Sequence, residues 1–383
     1  MNQEVVQSRR SDTEQAVNEL CSQLKKNTAQ YNAIIFFASS SYDFPRLSAL
    51  LHGRFPSAQV VGTTTSGEIS EKGFAKGTIV LNALSDGMGG GRTQFKGVLI
   101  DDANLFPMVR KKEILSAAAS IGVQLSSPSC SRDAFAISLI CGLLSAEEGV
   151  LSLLYSLVKD EKFLVAGGSA GDDLNFKATS VSLNGVCSNK GAVILFVKTT
   201  CPFRIYKENI FQRSGKTVML TNVNPETHAV LEIDRQNPRR RYASVLNIPE
   251  SQVADATLDH PFGRVFGDEI YIASLVQFDN AGKLTMYARV LQDSVQEILE
   301  PMDTLAITEE TCKKARAEIP NPGCVILFNC ILRTVGFEKK RQQDSVNAVW
   351  KRNFPVYSGF STYGEQFGHI NSNQTLVMLV IGE

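Results

Sequence analysis

Residues 356–365 read VYSGFSTYGE, an apolar approach that ends in small residues, glycine and an acid. Residues 60–68, VVGTTTSGE, repeat this pattern with the same spacing between their two glycines, and residues 165–172, VAGGSAGD, are a shorter relative. Self-similarity of this kind is typical of a structural unit that is used more than once. The sequence therefore predicts three copies of one unit, which we number one to three along the chain.

The repeated pattern extends to both sides of each loop. One apolar run precedes the loop at a distance that leaves room for a helix, and a second run follows it. The runs are 33–38 and 78–84, 134–140 and 191–197, and 324–328 and 375–381. Runs of this length that are rich in Val and Ile are typical of strands buried on both faces. The predicted fold is α/β, with two lobes built from repeated strand-helix-strand-loop-strand units and mixed sheets with flanking helices.

The order of these copies gives the predicted domain boundaries. Residues 1–29 are expected to form a polar segment and a helix, residues 30–200 an N-terminal lobe and residues 201–383 a C-terminal lobe. A chain of 383 residues suits two lobes better than one core. Between copies one and two, residues 85–91 predict a glycine-rich turn and residues 106–121 an amphipathic helix.

The composition excludes several classes of function. Lys plus Arg and Asp plus Glu number 39 each, so no net charge attracts nucleic acid or an anionic membrane. No apolar run reaches the length that spans a bilayer, and residues 1–14 lack the apolar core of a signal peptide. Eight cysteines without close pairing indicate reduced, buried thiols. We therefore expect a cytoplasmic protein that binds neither nucleic acid nor membrane, and a homodimer is left open.

Several motifs in sequence order resemble those of FIST-domain proteins, bacterial signal-input proteins with an N-terminal and a C-terminal FIST region. The resemblance covers most of residues 30–383 and is carried by residues 62–68, Gly73, Phe74, 167–172, 328–330, Arg333, 359–365 and 373–375. In length and in the lack of a fused output domain, the chain is also similar to the nitric oxide sensing haem proteins of that family, which regulate histidine kinases. The resemblance implies a sensor that captures a ligand, not an enzyme.

The residue after the last glycine of each loop is an acid. A phosphate-binding loop needs a Lys and a Ser or Thr there, whereas this chain has Glu68, Asp172 and Glu365. Nucleotide binding by these loops is therefore not expected. Two interpretations stay open: close backbone packing with acids that accept hydrogen bonds from turn amides, or a polar rim that faces a small ligand. The rim would consist of Thr65, Ser66, Ser169, Ser361, Thr362 and Tyr363.

Residues 167–171 also match the Gly-x-Ser-x-Gly elbow of serine hydrolases. Such an elbow leads into a helix and is followed downstream by an acid and a His. Here a polar turn follows Asp172, and the other two copies lack this serine context. The repeat explains the match more simply, and a hydrolase that uses Ser169 stays an alternative.

Histidine 260 is the best candidate for a cofactor ligand. A haem needs one protein ligand, an apolar slot and a cation for its propionates. Around His260, Phe262 and Phe266 supply apolar surface and Arg264 supplies a cation. We therefore predict His260 as the metal ligand of a haem b, with Arg264, Phe262 and Phe266 as further cofactor-binding residues. The alternative ligands are His228, His52, His369 and Cys201, which precedes a proline.

With the resemblance, these residues predict a haem-binding nitric oxide sensor that regulates a partner histidine kinase. Binding of nitric oxide is expected to weaken the iron's protein ligand and to shift a two-state equilibrium. The first alternative is a haem-free FIST sensor that captures an amino acid or a related small metabolite through the loop hydroxyls. The second alternative is the hydrolase that uses Ser169.

Overall fold

The computed structural model describes residues 1–86, 91–104, 110–267, 269–287 and 289–383. It confirms the α/β fold class, because the described residues form nine α-helices and 25 strands in mixed sheets with flanking helices. The chain folds into two compact units. The first unit comprises Met1–Glu208, Thr308–Asn371 and Thr375–Glu383, and the second comprises Asn209–Ile307 and Ser372–Gln374.

The three copies of the repeat build the first unit and follow one order of elements, except that copy three has one additional helix. Copy one comprises β1 (Asn2–Ser8), α1 (Thr13–Gln23), β2 (Ala33–Ser39), α2 (Phe44–Arg54), β3 (Gln59–Thr65), β4 (Glu68–Ser70), β5 (Gly73–Ala75) and β6 (Ile79–Ser85). Copy two comprises β7 (Thr93–Ile100), α3 (Lys111–Ser120), β8 (Ala134–Cys141), α4 (Glu147–Tyr155), β9 (Val165–Ala170), β10 (Val181–Leu183), β11 (Val186–Ser188) and β12 (Ala192–Thr199).

Copy three begins with β13 (Phe203–Asn209), which is followed by a long inserted segment that forms most of the second unit. Copy three resumes with α7 (Thr304–Glu318), β21 (Pro322–Cys330), α8 (Ile331–Lys339), α9 (Gln343–Asn353), β22 (Ser358–Thr362), β23 (Glu365–Phe367), β24 (Ile370–Ser372) and β25 (Thr375–Gly382). The second unit is thus an insertion into the third copy.

The central strand of each copy has the same two partners. β2 is parallel to β3 and antiparallel to β6. β8 pairs in the same way with β9 and β12, and β21 with β22 and β25. Because a parallel pair needs a crossover, one helix lies between the two parallel strands in copies one and two, and two helices, α8 and α9, lie there in copy three.

The short hairpins of the first unit are exchanged between copies. The hairpin β4–β5 of copy one joins β22 of copy three, and β10–β11 of copy two joins β3 of copy one. The hairpin β23–β24 of copy three joins β9 of copy two. The three sheets therefore form a closed cycle in which each copy completes the sheet of another.

The inner faces of the three sheets share one hydrophobic core. Phe37, Ile137 and Phe328 come from the central strands of the three copies, and Phe37 stacks on Phe360 with ring centroids 4.8 Å apart. The opposite faces pack against helices, as Phe36 does in the cluster that contains Leu47 of α2. Burial on both faces explains why the strands are continuous apolar runs.

The second unit is built on one antiparallel sheet. Its elements are β14 (Phe211–Asn224), β15 (Ala229–Ile233), α5 (Pro238–Leu246), α6 (Val253–Ala256), β16 (Phe262–Phe266), β17 (Glu269–Ala273), β18 (Leu275–Phe278), β19 (Leu284–Met286) and β20 (Ser294–Pro301). The strand order is β17-β16-β20-β14-β15-β19-β18. Tyr242 of α5 and Phe262 of β16 lie in its core, with ring centroids 5.9 Å apart.

The two compact units do not coincide with the sequence regions 30–200 and 201–383. Copy three packs with copies one and two although most of it lies far along the chain, so the division near residue 200 stays a prediction about sequence regions. The helix predicted over residues 106–121 is α3, which the structure describes from Lys111. Residues 106–109 of that helix, and residues 87–90 of the predicted turn, lie outside the described residues.

Candidate functional site

The three glycine loops meet in the first unit and are joined into a ring by backbone hydrogen bonds. These run from N–H to O between Ser66 and Ser361 (3.1 Å), Ser169 and Gly364 (2.7 Å), and Gly171 and Thr64 (3.0 Å). We call residues 64–68, 169–173 and 361–365 the three-loop junction. A Cβ at Gly171 would lie 2.7 Å from the backbone N of Ser66, so this close approach requires glycine.

Two of the three loop acids are held by the same hydrogen bonds. Glu68 is fully buried, and its carboxylate accepts from the Thr65 hydroxyl, the Thr78 hydroxyl (2.6 Å) and the Thr78 N–H (3.1 Å). Glu365 is also fully buried and repeats this arrangement. Its donors are the Thr362 hydroxyl, the Thr375 hydroxyl (2.8 Å) and the Thr375 N–H (3.1 Å). We call these two sets of contacts the glutamate clamps.

The glutamate clamps perturb the ionisation of both acids. Burial raises the pKa of Glu68 and of Glu365 from 4.5 to about 7, because the charged form loses its hydration. The hydrogen bonds from the threonines favour the charged form and offset only part of this effect. Both carboxyls can therefore exchange a proton near neutral pH.

The third loop acid, Asp172, has different partners. It accepts hydrogen bonds from the N–H groups of Phe176 (3.0 Å), Lys177 (2.6 Å) and Ala178 (3.0 Å), and from the Tyr363 hydroxyl (2.5 Å). Burial raises the pKa of Asp172, but these hydrogen bonds outweigh it and leave the pKa below its usual value. The Phe176 ring stacks on Tyr363 at 5.4 Å and is largely exposed. Asp172 thus fixes an exposed aromatic turn to copy three.

The loop hydroxyls of the predicted ligand-facing rim lie mostly beneath the surface. Thr65, Ser66, Ser169, Ser361 and Thr362 are buried, and only Tyr363 is partly exposed. Ser169 lies on β9, donates to Glu147 Oε1 at 2.9 Å and accepts from Gln366 Nε2 at 3.0 Å. Its hydroxyl is therefore part of a buried hydrogen-bond network and not at the exposed tip of a strand-to-helix elbow.

A buried ion pair lies next to the junction. Arg333 of α8 contacts Glu208 Oε1 through Nη2, and both side chains are almost completely excluded from solvent. Arg333 Nε donates to Asn329 Oδ1 at 2.9 Å, and Thr308 Oγ1 donates to Glu208 Oε1 at 3.1 Å. The network reaches the junction because Thr334 Oγ1, which accepts from Asn329 Nδ2 at 2.9 Å, lies 2.8 Å from the Ser361 hydroxyl.

His260 lies in the second unit, between α6 and β16. It is half-buried, and its Nδ1 lies 3.0 Å from the carbonyl oxygen of Leu299. Because a carbonyl only accepts, Nδ1 is the donor in this contact, which leaves Nε2 for another partner. The Tyr242 hydroxyl donates to the His260 carbonyl at 2.7 Å and fixes the backbone. Metal-binding imidazoles commonly make such a contact with a backbone carbonyl through the ring nitrogen that does not bind the metal.

The other residues predicted around His260 do not form one apolar slot with it. Phe262 is fully buried in the core of the second unit, whereas Phe266 is 66% exposed and packs edge-on against Tyr271. Arg264 is half-buried. β16 pairs with β20 only at its start, so its far end projects as a two-stranded ribbon with β17. Of the residues predicted to bind haem, only His260 therefore has contacts that suit this role.

The alternative ligands are scattered over the described residues. His52 lies on α2, His228 adopts a left-handed backbone conformation, and His369 packs edge-on against Tyr155. Among the described residues, no group of three or more His, Cys, Asp or Glu side chains could hold a metal ion. A metal site built from several protein ligands therefore has no support in the part of the chain that the structure describes.

Cys201 lines a cleft of the first unit with a volume of about 520 Å³. Three cationic residues, Arg132, Lys162 and Arg204, line the same cleft. Arg204 is also paired with Glu318 at 3.2 Å. The structure thus brings one of the alternative ligands together with cations that no sequence pattern connected to it.

Sequence reasoning missed several of these residues for different reasons. The glutamate clamps have a readable signal, a Thr three residues before the acid and a Thr ten residues after it, which occurs in copies one and three. Arg333 was among the residues that carry the family resemblance, but its partner was not predicted. Glu208 lies 125 residues away in the chain, within a strand whose sequence gives no sign of it.

Comparison with known families gives two matches along the chain. A model of the FIST N domain matches residues 32–236, and a model of the FIST C domain matches residues 239–368. No curated protein matches the chain. Among solved structures, the chain is similar to a cyanuric acid hydrolase from A. caulinodans, at 7% identity and a TM-score of 0.27 over 52% of this chain and 71% of that one. A TM-score this low supports no conclusion about fold or activity.

The described residues also contain no helix with the length and apolar character needed to cross a membrane.

Proposed function

Because the chain belongs to the FIST family, we propose that it is a cytoplasmic sensor that binds a small polar metabolite, such as an amino acid, and regulates a partner histidine kinase. FIST domains suggest a sensory, ligand-binding role. Binding of a small polar metabolite is supported by the buried polar groups at the three-loop junction.

The position of the junction is the observation that supports a ligand site there. It lies where β3, β9 and β22 end, and each of these strands is parallel to the central strand of its copy. In open α/β sheets, ligands bind outside the carboxyl ends of parallel strands. A ligand at this place contacts loops from all three copies, so its binding changes how the copies are held together.

A thermal-unfolding screen against amino acids and related metabolites tests this proposal. A ligand that binds only the folded protein stabilises it by about 2.7 kcal/mol at a concentration of 100 times its Kd. We expect at least one compound to raise the Tm, and the same compound to change the autophosphorylation rate of the partner kinase in a reconstituted reaction. If no compound in the panel raises the Tm, the metabolite proposal is wrong.

A second candidate function is the haem-dependent sensing of nitric oxide. The Nδ1–H contact of His260 with the Leu299 carbonyl favours it, because a fixed Nδ1 proton directs Nε2 toward a metal. Haem b supplies, when bound, an iron centre that can take up nitric oxide. The protein's own contribution is to hold the His260 ring through Leu299 and its backbone through Tyr242.

Absorption spectroscopy of protein produced with a haem supply tests this second candidate. We expect a stoichiometric Soret band that shifts with nitric oxide, is lost in His260→Ala and is kept in the matched variants His228→Ala and Cys201→Ala. A band that is lost in Cys201→Ala instead assigns the ligand to the cleft. A wild-type protein that stays colourless after reconstitution excludes haem sensing.

We also propose that the protein has no catalytic activity. The Ser169 hydroxyl is buried and hydrogen-bonded to Glu147, and no described hydrogen bond connects it to a histidine. A panel of ester and amide substrates, assayed with wild type and Ser169→Ala, checks this. Turnover that disappears in Ser169→Ala would make the hydrolase alternative correct.

A further inference from the structure

The buried ion pair beside the junction is only half satisfied. Arg333 Nη2 and Glu208 Oε1 contact each other, but Arg333 Nη1 and Glu208 Oε2 have no hydrogen-bond partner among the residues that the structure describes. Both atoms are buried. The site therefore presents one free cationic donor and one free anionic acceptor inside the first unit.

The glutamate clamps in the same unit show that a buried acid there can be fully paired. Both carboxylate oxygens of Glu68 are hydrogen-bonded, and the same is true of Glu365. Buried polar atoms in native proteins are almost always satisfied by protein, ordered water or a bound ligand. Charged atoms are the most unfavourable to leave without partners.

Neighbouring residues fix the two side chains. Asn329 accepts from Arg333 Nε, the Arg333 guanidinium lies 5.4 Å from the Phe337 ring centroid, and Thr308 donates to Glu208. These contacts leave Arg333 Nη1 and Glu208 Oε2 as the unused hydrogen-bonding positions. A site whose charges are already held in place loses little conformational entropy when a ligand binds.

Charge balance then decides which class of ligand suits the pair. The ion pair is neutral as a whole, so a monoanion or a monocation would leave a net charge buried, which is strongly unfavourable. A molecule that carries one carboxylate and one ammonium is also neutral. It can place the carboxylate on Arg333 Nη1 and the ammonium on Glu208 Oε2.

We propose that Arg333 and Glu208 form the ligand-anchoring site of this protein and that the site takes a small zwitterion of the amino acid class. This inference rests on the proposed metabolite-sensing function and assigns residues to it. The ligand's carboxylate accepts from the guanidinium, and its ammonium donates to the glutamate.

Hydrogen bonds also connect the site to the three-loop junction, so that binding of a ligand can affect the junction. Arg333 is linked to Ser361 of the three-loop junction through Asn329 and Thr334. Glu208 is the residue at which the chain leaves the first unit, and Thr308 is the residue at which it returns. A ligand on this pair thus contacts the two chain crossings and, through three side chains, the junction.

Isothermal titration calorimetry tests the assignment. The probes are the 20 common L-amino acids, followed by the N-acetyl and methyl ester derivatives of each one that binds. Acetylation removes the ammonium charge and esterification removes the carboxylate charge. The variants are Glu208→Gln and Arg333→Lys, and the matched control is Glu297→Gln, which changes a buried carboxylate of the second unit, outside the site.

We expect both derivatives to bind wild type at least tenfold more weakly than the parent amino acid. Glu208→Gln and Arg333→Lys should weaken binding of the parent amino acid by at least tenfold, whereas Glu297→Gln should stay within twofold of wild type. If an amino acid binds and both site variants match Glu297→Gln, the assignment is wrong and the proposed function stands. If no amino acid binds wild type, this inference fails, and the result of the wider metabolite screen decides the proposed function.

A measurement on the wild type covers the case in which the variants do not fold. In protein labelled with ¹⁵N-arginine, the buried Arg333 guanidinium should give slowly exchanging Nη signals that shift when a binding amino acid is added. Protected Nη signals that stay unchanged at saturation overturn the proposal. The same is true of an experimental structure with the amino acid bound elsewhere and an ordered water between Arg333 Nη1 and Glu208 Oε2.

Discussion

Replacing Glu68 with Gln should remove about half of the pH dependence that the glutamate clamps give to the first unit. The folded-state pKa of Glu68 is raised from 4.5 to about 7 by burial, so the folded protein holds this proton more tightly than the unfolded chain. The stabilisation is fully present below pH 4.5 and is lost as the pH rises to about 7. Glu365 behaves in the same way.

The size of the effect follows from the two pKa values. The difference between 4.5 and about 7 corresponds to about 3 kcal/mol for each glutamate. Most of this falls between pH 5 and pH 8, because the unfolded chain is already mostly ionised at pH 5. Through the two clamps, wild type should therefore lose about twice as much free energy of unfolding over this range as Glu68→Gln. The double variant Glu68→Gln/Glu365→Gln should lose almost nothing by this route.

Gln fits the first clamp because it can reproduce the protonated acid. Its carbonyl oxygen can accept from both donors of Thr78, and its amide can donate to Thr65. The Thr65 hydroxyl has a second acceptor, the Ala38 carbonyl at 3.3 Å, so it can turn away from residue 68. The substitution therefore removes the charge without leaving a donor unpaired.

Guanidinium unfolding at several pH values measures the effect. Trp350 is the only tryptophan of the chain and is fully buried in the first unit, so its fluorescence reports on that unit. Glu309→Gln is the control, because its hydrogen bond with Arg352 holds the pKa of Glu309 below its usual value and outside the range tested. If the free energy of unfolding of Glu68→Gln changes with pH as steeply as that of wild type, the clamp does not raise the pKa of Glu68 in the way argued here.

Four further substitutions test separate parts of the fold. Gly359→Ala should destabilise the first unit by about 3 kcal/mol, because its Cβ would lie 2.2 Å from the Leu327 carbonyl oxygen. Gly53→Ala on α2 meets nothing within 4 Å and should stabilise by about 0.5 kcal/mol. Equal Tm changes for both would contradict this. Tyr363→Phe should lower stability by about 1.5 kcal/mol in chemical unfolding, because Asp172 loses one donor. Asp172→Asn should make the free energy of unfolding less dependent on pH in the acid range, because a carboxylate with a lowered pKa gives stability that is lost as the pH falls through that pKa. If the free energy of unfolding of the variant falls as steeply at acid pH as that of wild type, this prediction is wrong.

The sequence was sufficient for the repeat and for the main strands. The glycine spacing at 62/67 and 359/364 revealed copies one and three, and burial on both faces produced the continuous apolar runs that mark β2, β8 and β21. The physical reason is that both signals are local. A strand of seven to nine buried residues has too many apolar positions to be mistaken for a loop.

The cyclic exchange of hairpins and the insertion into copy three could not be read in the same way. β4, β10 and β23 have three residues each, which is too short for a periodic pattern, and their partners belong to other copies. The site residues depend on the same long-range pairing. Glu208 meets Arg333 only because the chain returns to the first unit after the insertion.

The differences between the copies indicate where a ligand should bind in a molecule with three similar junction loops. Copies one and three keep the Thr–Glu clamp, whereas in copy two Ser169 occupies the position of Thr65 and donates to Glu147 instead of Asp172. The clamp is therefore a structural element, since two copies retain it and both oxygens of its acid are satisfied. The pair of Arg333 with Glu208 is the feature of copy three that leaves charged atoms unused. A repeat that has diverged to a buried ion pair at one position, while its glutamate clamps stay fully paired, has its most specific chemistry at that position. Under our proposal, copy three recognises the ligand, and copies one and two hold the junction that responds to it.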